Sequence, residues 1–224
     1  MGRNVDKHMA YFDLLESIRK AKVCALCEMR IRDVNKYIED LLYENVNDSG
    51  IRAELVKARG FCRRHAEMLL NHKDGLGTAI LYDDQLKLAL HFLEQLSGLK
   101  GNFIHGTASE AWKRHKTCPV CEYELKTHRL RIGLLSNAIN EPEIREALDN
   151  GPGFCLPHLL EVLDMEKDSA VRRYLIDLHH RKISEMLSAV QEFIRANNYC
   201  SQGEGSGKEK DAWLRAVKML VGLS

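Results

Sequence analysis

The chain has 224 residues, with 33 Lys+Arg against 32 Asp+Glu, and is 45% hydrophobic and 29% charged. That apolar content supports a packed core and excludes a wholly disordered chain. Cut at residue 110, the first part carries 16 basic and 16 acidic residues and the second 17 and 16, so neither is a basic module and counterion-release binding to nucleic acid has no support.

The first twenty residues, MGRNVDKHMAYFDLLESIRK, mix charges into every turn and contain no apolar h-region, so no signal peptide is expected. Asp6 stands where the myristoylation pattern needs Ser or Thr. Strictly apolar runs are short, such as Val23 to Cys27, far below the roughly 20 residues of a membrane span. A soluble, cytoplasmic protein with no membrane association is expected. In a reducing cytosol, clustered cysteines bind metal or do redox chemistry more often than they form structural disulfides.

Along the chain, Cys24-Ala-Leu-Cys27 opens a 3.6-period apolar stripe through Ile31, Val34, Tyr37, Ile38, Leu41 and Leu42. Asp48-Ser49-Gly50 marks a turn before a short helix over 51–58. Gly60-Phe61-Cys62-Arg63-Arg64-His65 forms a loop running into a helix over 63–72, and a long helix follows at 77–98. Gly98, Gly101 and Gly106 mark a junction, after which the order repeats. Cys118-Pro-Val-Cys121 opens a helix to about 139 with Leu125, Ile132, Leu135 and Ile139, and Glu141-Pro142 precedes a short helix over 143–149. Gly153-Phe154-Cys155-Leu-Pro-His158 leads into 157–165, with Pro157 in the first turn, and a long helix covers 168–197. Tyr199 to Lys210 reads as a flexible linker, and Asp211 to Leu223 as a short amphipathic helix carrying Trp213, Leu214, Val217, Leu220 and Val221.

The CxxC pairs are offset by 94 and the GFCxxH sets by 93. Flanks agree: Leu41-Leu42 with Leu134-Leu135, Asn47 with Asn140, Ile51-Arg52 with Ile144-Arg145, Leu55 with Leu148, and a Glu (Glu28, Glu122) after each CxxC. We read an internal duplication. The expectation is an all-α protein of two homologous helical halves: 1–105 and 106–199, each built around a Cys₃His metal site, then 200–224 as linker plus amphipathic helix.

Three thiolates and one imidazole form a full tetrahedral donor set for Zn²⁺. The expected ligands are Cys24, Cys27, Cys62 and His65, then Cys118, Cys121, Cys155 and His158, giving two zinc ions per chain. Each copy carries a complete set and the linkers match at 34 and 33 residues, so sites within a copy are the expectation, and crosswise pairing is the alternative. A [4Fe–4S] cluster on the same residues, for electron transfer or redox sensing, is the rival. With no open coordination position, such a zinc site stabilises rather than catalyses. Arg63 and Arg64 make the first CxxH site the more solvated and are candidate contacts for an anion; Leu156 and Pro157 screen the second.

Other chemistry is weaker. CxxC as a redox dithiol would leave Cys62, His65, Cys155 and His158 idle. His65-Ala66-Glu67 with a downstream CxxC matches zinc deaminases, but Thr117 stands where that motif has Pro, and the fold would need a sheet. His179-His180-Arg181-Lys182 with Arg172 and Arg173 reads as a solvated helix face, as does the pair Asp83 and Asp84. His91, His105, His115 and His128 read as surface or satisfied core residues, and Cys200 as a free thiol. No P-loop, GxGxxG or GxSxG element occurs, so no catalytic motif is present.

Over residues 10–197 the stretch CALCEMRIRDVNKYIEDLLYENVNDSGIRAEL…GFCRRHAEMLL…GLGTAILYDD resembles an uncharacterised bacterial and archaeal family marked by a doubled CxxC…GFCxxH. The resemblance implies a helical, cytoplasmic, metal-binding protein and assigns no activity. The reading is therefore a metal-binding interaction or regulatory module, whose partner is another protein or a second copy of the chain.

Overall fold

The computed structural model describes residues 9–98, 107–113, 116–197 and 210–222. The expected linker and Cys200, Gly101, Gly106, His105 and His115 lie outside the described residues. Among those described, all regular structure is helical. The α-helices are α1 (Met9–Lys20), α2 (Ala25–Asp40), α3 (Ser49–Lys57), α4 (Arg63–Asn71), α5 (Gly75–Leu96), α6 (Ala108–Ala111), α7 (Pro119–Ala138), α8 (Pro142–Asn150), α9 (Leu156–Met165), α10 (Ser169–Ala196) and α11 (Ala212–Val221). The helices read from periodicity are present within a few residues, whereas α1 and α6 were not separately anticipated. None is long and apolar enough to cross a membrane.

Local chemistry explains the starts. Asp48, Asp74 and Asp168 cap α3, α5 and α10 by accepting from Ile51 N, Gly77 N and Ala170 N at 2.8, 2.9 and 2.8 Å. Thr107 and Glu110 close a capping box around α6.

Two compact units form, and they do not follow the expected halves. One comprises Met1–Ile31 with His128–Ser224, the other Arg32–Thr127. Helices α2 and α7 therefore each begin in one unit and end in the other. Ala25, Leu26 and Met29 join one core with Tyr11, Leu14, Ile139, Phe154 and Leu175, while Val34, Ile38 and Leu41 join another with Leu55, Phe61, Leu69 and Leu81.

The first CxxC and CxxH are separated by one residue more than the second pair. α2 continues into a π-helical turn, Leu41–Asn45, which takes up one extra residue per turn, and α7 has no such turn. Buried Val34, Ile38 and Leu41 correspond at offset 94 to buried His128, Ile132 and Leu135.

Candidate metal centres

Four helices begin on a cysteine. The carbonyls of Cys24, Cys62, Cys118 and Cys155 accept from Glu28 N, Ala66 N, Glu122 N and Leu159 N, which makes each the N-cap of α2, α4, α7 or α9. Cys62 and Cys155 hold the extended backbone of a cap residue, with φ/ψ of −69/163° and −66/157°. Three residues on, at N3, stand Cys27, His65, Cys121 and His158. In a capping box the N-cap and N3 side chains face each other across the first turn; CxxC and CxxH use that same geometry to aim two metal donors one way. The glycine of each GFC turns the chain into its cap at φ 78° for Gly60 and 80° for Gly153, the left-handed region that glycine tolerates. Phe61 and Phe154 are buried behind it.

The N-cap/N3 pairs meet crosswise, which corrects the expectation of sites within each copy. One cluster is Cys24, Cys27, Cys155 and His158; the other is Cys62, His65, Cys118 and Cys121, with all four donor atoms of each within 4.8 Å of one another. In the first, His158 Nδ1 lies 3.4, 3.3 and 3.2 Å from the sulfurs of Cys24, Cys27 and Cys155, and Cys27 Sγ lies 3.6 Å from Cys155 Sγ. In the second, His65 Nδ1 lies 3.3, 3.7 and 3.3 Å from those of Cys62, Cys118 and Cys121, and the Cys62 and Cys121 sulfurs are 3.6 Å apart.

These separations suit one ion. Tetrahedral donors at ~2.3 Å (S) and ~2.0 Å (N) from a metal stand about 3.5–3.8 Å from one another. A [4Fe–4S] cluster spreads its four ligands over four iron atoms at the corners of a cube, which needs a wider cage.

Burial requires the positive charge. Burial and the neighbouring sulfurs of Cys118 and Cys62 push the Cys121 thiol up to about 12, and contact with Cys155 and Cys27 raises that of Cys24. Cys155 is lowered, to about 3, because Cys24 and Cys27 donate to it. A cation would offset the raising of Cys24 and Cys121, helped by the helix N-termini at which the donors stand.

The surroundings differ between the clusters. All four residues of the first are buried, whereas Cys62 and Cys121 of the second are half-buried. His65 Nε2 stands 3.3 Å from the buried carboxylate of Glu124, which Arg64 grips from Nη1 at 2.7 and 2.9 Å. His65 Nδ1 is the ring atom that faces the three sulfurs, and Nε2 faces Glu124. Glu124 escaped the sequence reading, although an acid one turn beyond Cys121 was a usable signal. Arg64 is thus committed to Glu124, and exposed Arg63 pairs with Glu67 at 2.9 Å, so both guanidinium groups expected to meet an anion are engaged by carboxylates. Beside the first cluster, the His128 ring lies 4.8 Å from that of His158 and bonds Glu161 at 2.5 Å. Gly222, at the end of α11, closes over that cluster: a Cβ there would stand 3.3 Å from both Cys27 Sγ and Cys155 Sγ.

The deaminase pattern is half realised. His65 does meet Cys118 and Cys121, but Cys62 fills the fourth position and Glu67 is held by Arg63 at the surface. His179 departs from the solvated face expected for it. It is buried, accepts from Phe154 N through Nε2 at 2.8 Å, and donates from Nδ1 to Leu175 O at 2.8 Å. Its neighbour Lys182 donates to the carbonyls of Asp149 and Gly151, so this helix turn pins the GFC loop. Asp83 and Asp84 pair with Lys87 and Arg52, as a helix surface would.

An uncharacterised 23.9 kDa protein in the xynA 3′ region of Caldicellulosiruptor sp. (strain Rt8B.4) is 26% identical over 217 residues, covering 93% of this chain and 99% of the relative. No solved structure matches. The chain belongs to DUF6062, a family of unknown function, whose model matches residues 6–224.

Proposed function

We propose that the protein is a cytoplasmic zinc module, holding one structural ion in each compact unit and serving as an interaction or regulatory scaffold. The observation that carries this is the complete Cys₃His set in each cluster, with donor separations of 3.2–3.7 Å. Four protein donors leave no position for substrate or water, so the ions stabilise rather than catalyse. At on the order of 10 kcal/mol each, they contribute as much as a typical domain's whole stability. The same separations weigh against the iron–sulfur reading. Metal analysis of anaerobically purified protein tests the proposal: two zinc per chain and a colourless solution are expected. A brown protein absorbing near ~400 nm would return the assignment to iron.

A further inference from the structure

The two units fill one position differently. In the unit built from Met1–Ile31 and His128–Ser224, α1 lies on α8. Tyr11 Oη donates to Glu143 Oε2 at 2.6 Å, and Arg131 donates to Asp13 at 2.7 Å. Tyr11, Leu14, Leu15 and Ile18 are buried in one core with Ala25, Met29, Ile144 and Ala147.

At the sequence offsets above, Ala25, Met29, Arg131, Glu143, Ile144 and Ala147 correspond in the other unit to Pro119, Tyr123, Tyr37, Gly50, Ile51 and Glu54. Those six line an open groove of about 510 Å³ whose wall also carries charged side chains, among them Lys116 and Glu122. Pro119, Tyr123, Ile51 and Glu54 are half-buried, where their counterparts under α1 are buried. Tyr37 and Tyr123 line it as a pair with ring centroids 4.5 Å apart. The stretch corresponding to α1 is 103–114. Its described part, α6 and Trp112, packs at the far end of α3, with Trp112 against Phe92 and Arg59 at 4.7 and 4.4 Å.

We propose that this groove docks one amphipathic helix of a partner protein, lying on α3 as α1 lies on α8. The inference deepens the interaction-module reading and rests on it. The chemistry of the occupant follows from the lining. It presents large apolar residues at the spacing of Tyr11, Leu14, Leu15 and Ile18, the helix-in-groove pattern. Where α1 has Asp13 facing Arg131, the occupant faces Tyr37 and takes an apolar or aromatic residue. Where Tyr11 meets Glu143, it faces Gly50 and needs no hydroxyl.

The probe is a displayed peptide library on the scaffold of residues 7–22, varied at positions 11, 13, 14, 15 and 18, selected against the full-length chain as purified. Enriched peptides are expected to be apolar at position 13 and to lose about tenfold or more in affinity on Ile51→Glu and on Tyr123→Glu. Unchanged zinc content and melting certify each variant, and Tyr123→Leu, with a smaller loss, replaces one that fails to fold. The proposal is overturned if no enriched peptide distinguishes the native groove from these variants. It is also overturned if binding appears only after residues 99–106 are replaced by Gly/Ser, which would make the occupant the chain's own, or if Tyr123→Glu converts a dimer to a monomer, which would make it a second copy. Zinc analysis of the same samples separates the two readings: two ions without groove-dependent peptides sinks only the docking site, and groove binding without zinc sinks only the metal assignment.

Discussion

Cys27 and Cys155 are 128 residues apart in the chain, and their sulfurs stand 3.6 Å apart. Within one motif copy Cys27 and Cys62 are only 35 residues apart. Loop-closure entropy makes the longer connection costlier by about 1 kcal/mol, from (3/2)RT ln of the length ratio. An ion worth on the order of 10 kcal/mol dwarfs that difference, and both pairings supply the same ligands. Packing of the helices that carry the pairs is what decides between them.

Crosswise pairing has a counting test. Cys62→Ser with Cys118→Ser damages one centre, so the double variant is expected to retain about one zinc per chain. Cys62→Ser with Cys24→Ser damages both and should retain almost none. Sites within each copy would give the opposite order, read by metal analysis.

Glu124 stands 3.3 Å from His65 Nε2 and is held there by Arg64. Glu124→Gln should weaken zinc at the centre of Cys62, His65, Cys118 and Cys121 by about 10–100-fold. Chelator competition in a Cys155→Ser background, where that centre stands alone, checks it; an unchanged affinity would remove Glu124 from the site.

Chelators should empty the centres in order. The half-buried sulfurs of Cys62 and Cys121 admit a competitor that the fully buried set excludes. Zinc release from Cys155→Ser protein should therefore be faster than from Cys62→Ser protein. Because Cys121 without an ion is raised to about 12, binding there displaces protons at neutral pH, and affinity should fall as pH is lowered.

Burial pushes His179 below the usual imidazole pKa, against the bond to the Leu175 carbonyl. The unfolded chain, with a pKa of about 6.5, then binds more protons than the native one, so stability rises with pH in that window. This contribution is complete above about 6.5 and is lost as pH falls toward the native value. His179→Gln, which keeps an acceptor for Phe154 N, should remove that part of the slope. His179→Ala should cost about 1–3 kcal/mol by stranding the Phe154 N–H. Denaturant melts of zinc-loaded protein across pH 5–8 provide the comparison.

The C-terminal helix covers the cluster of Cys24, Cys27, Cys155 and His158 rather than standing free. Ala212 is buried and Gly222 closes against two sulfurs, although Trp213, Val217 and Leu220 are exposed. Truncation after residue 209 should speed zinc loss from this centre in Cys62→Ser protein, with no change at the other in Cys155→Ser protein. Equal release rates before and after truncation would refute the cover.

By itself the sequence determined most of the helices and the eight candidate donors. Helix periodicity and caps are local, and a donor at N-cap with another at N3 is fixed by one turn of backbone. Only the tertiary structure decided which pairs meet. A Cys–Cys pair closes equally well with either Cys–His pair, so ligand chemistry is blind to the choice. The packing beside the donors makes it: Ala25 and Leu26 share a core with Phe154 and Leu159, and Val120 shares the other with Phe61 and Leu69. The partners of the donors depended on packing too. Glu124 reaches His65 from 59 residues away, His128 lies beside His158, and His179 is buried by a loop that begins 25 residues earlier in the chain. None of these relationships leaves a periodic trace, because each joins side chains whose proximity exists only after the helices have packed.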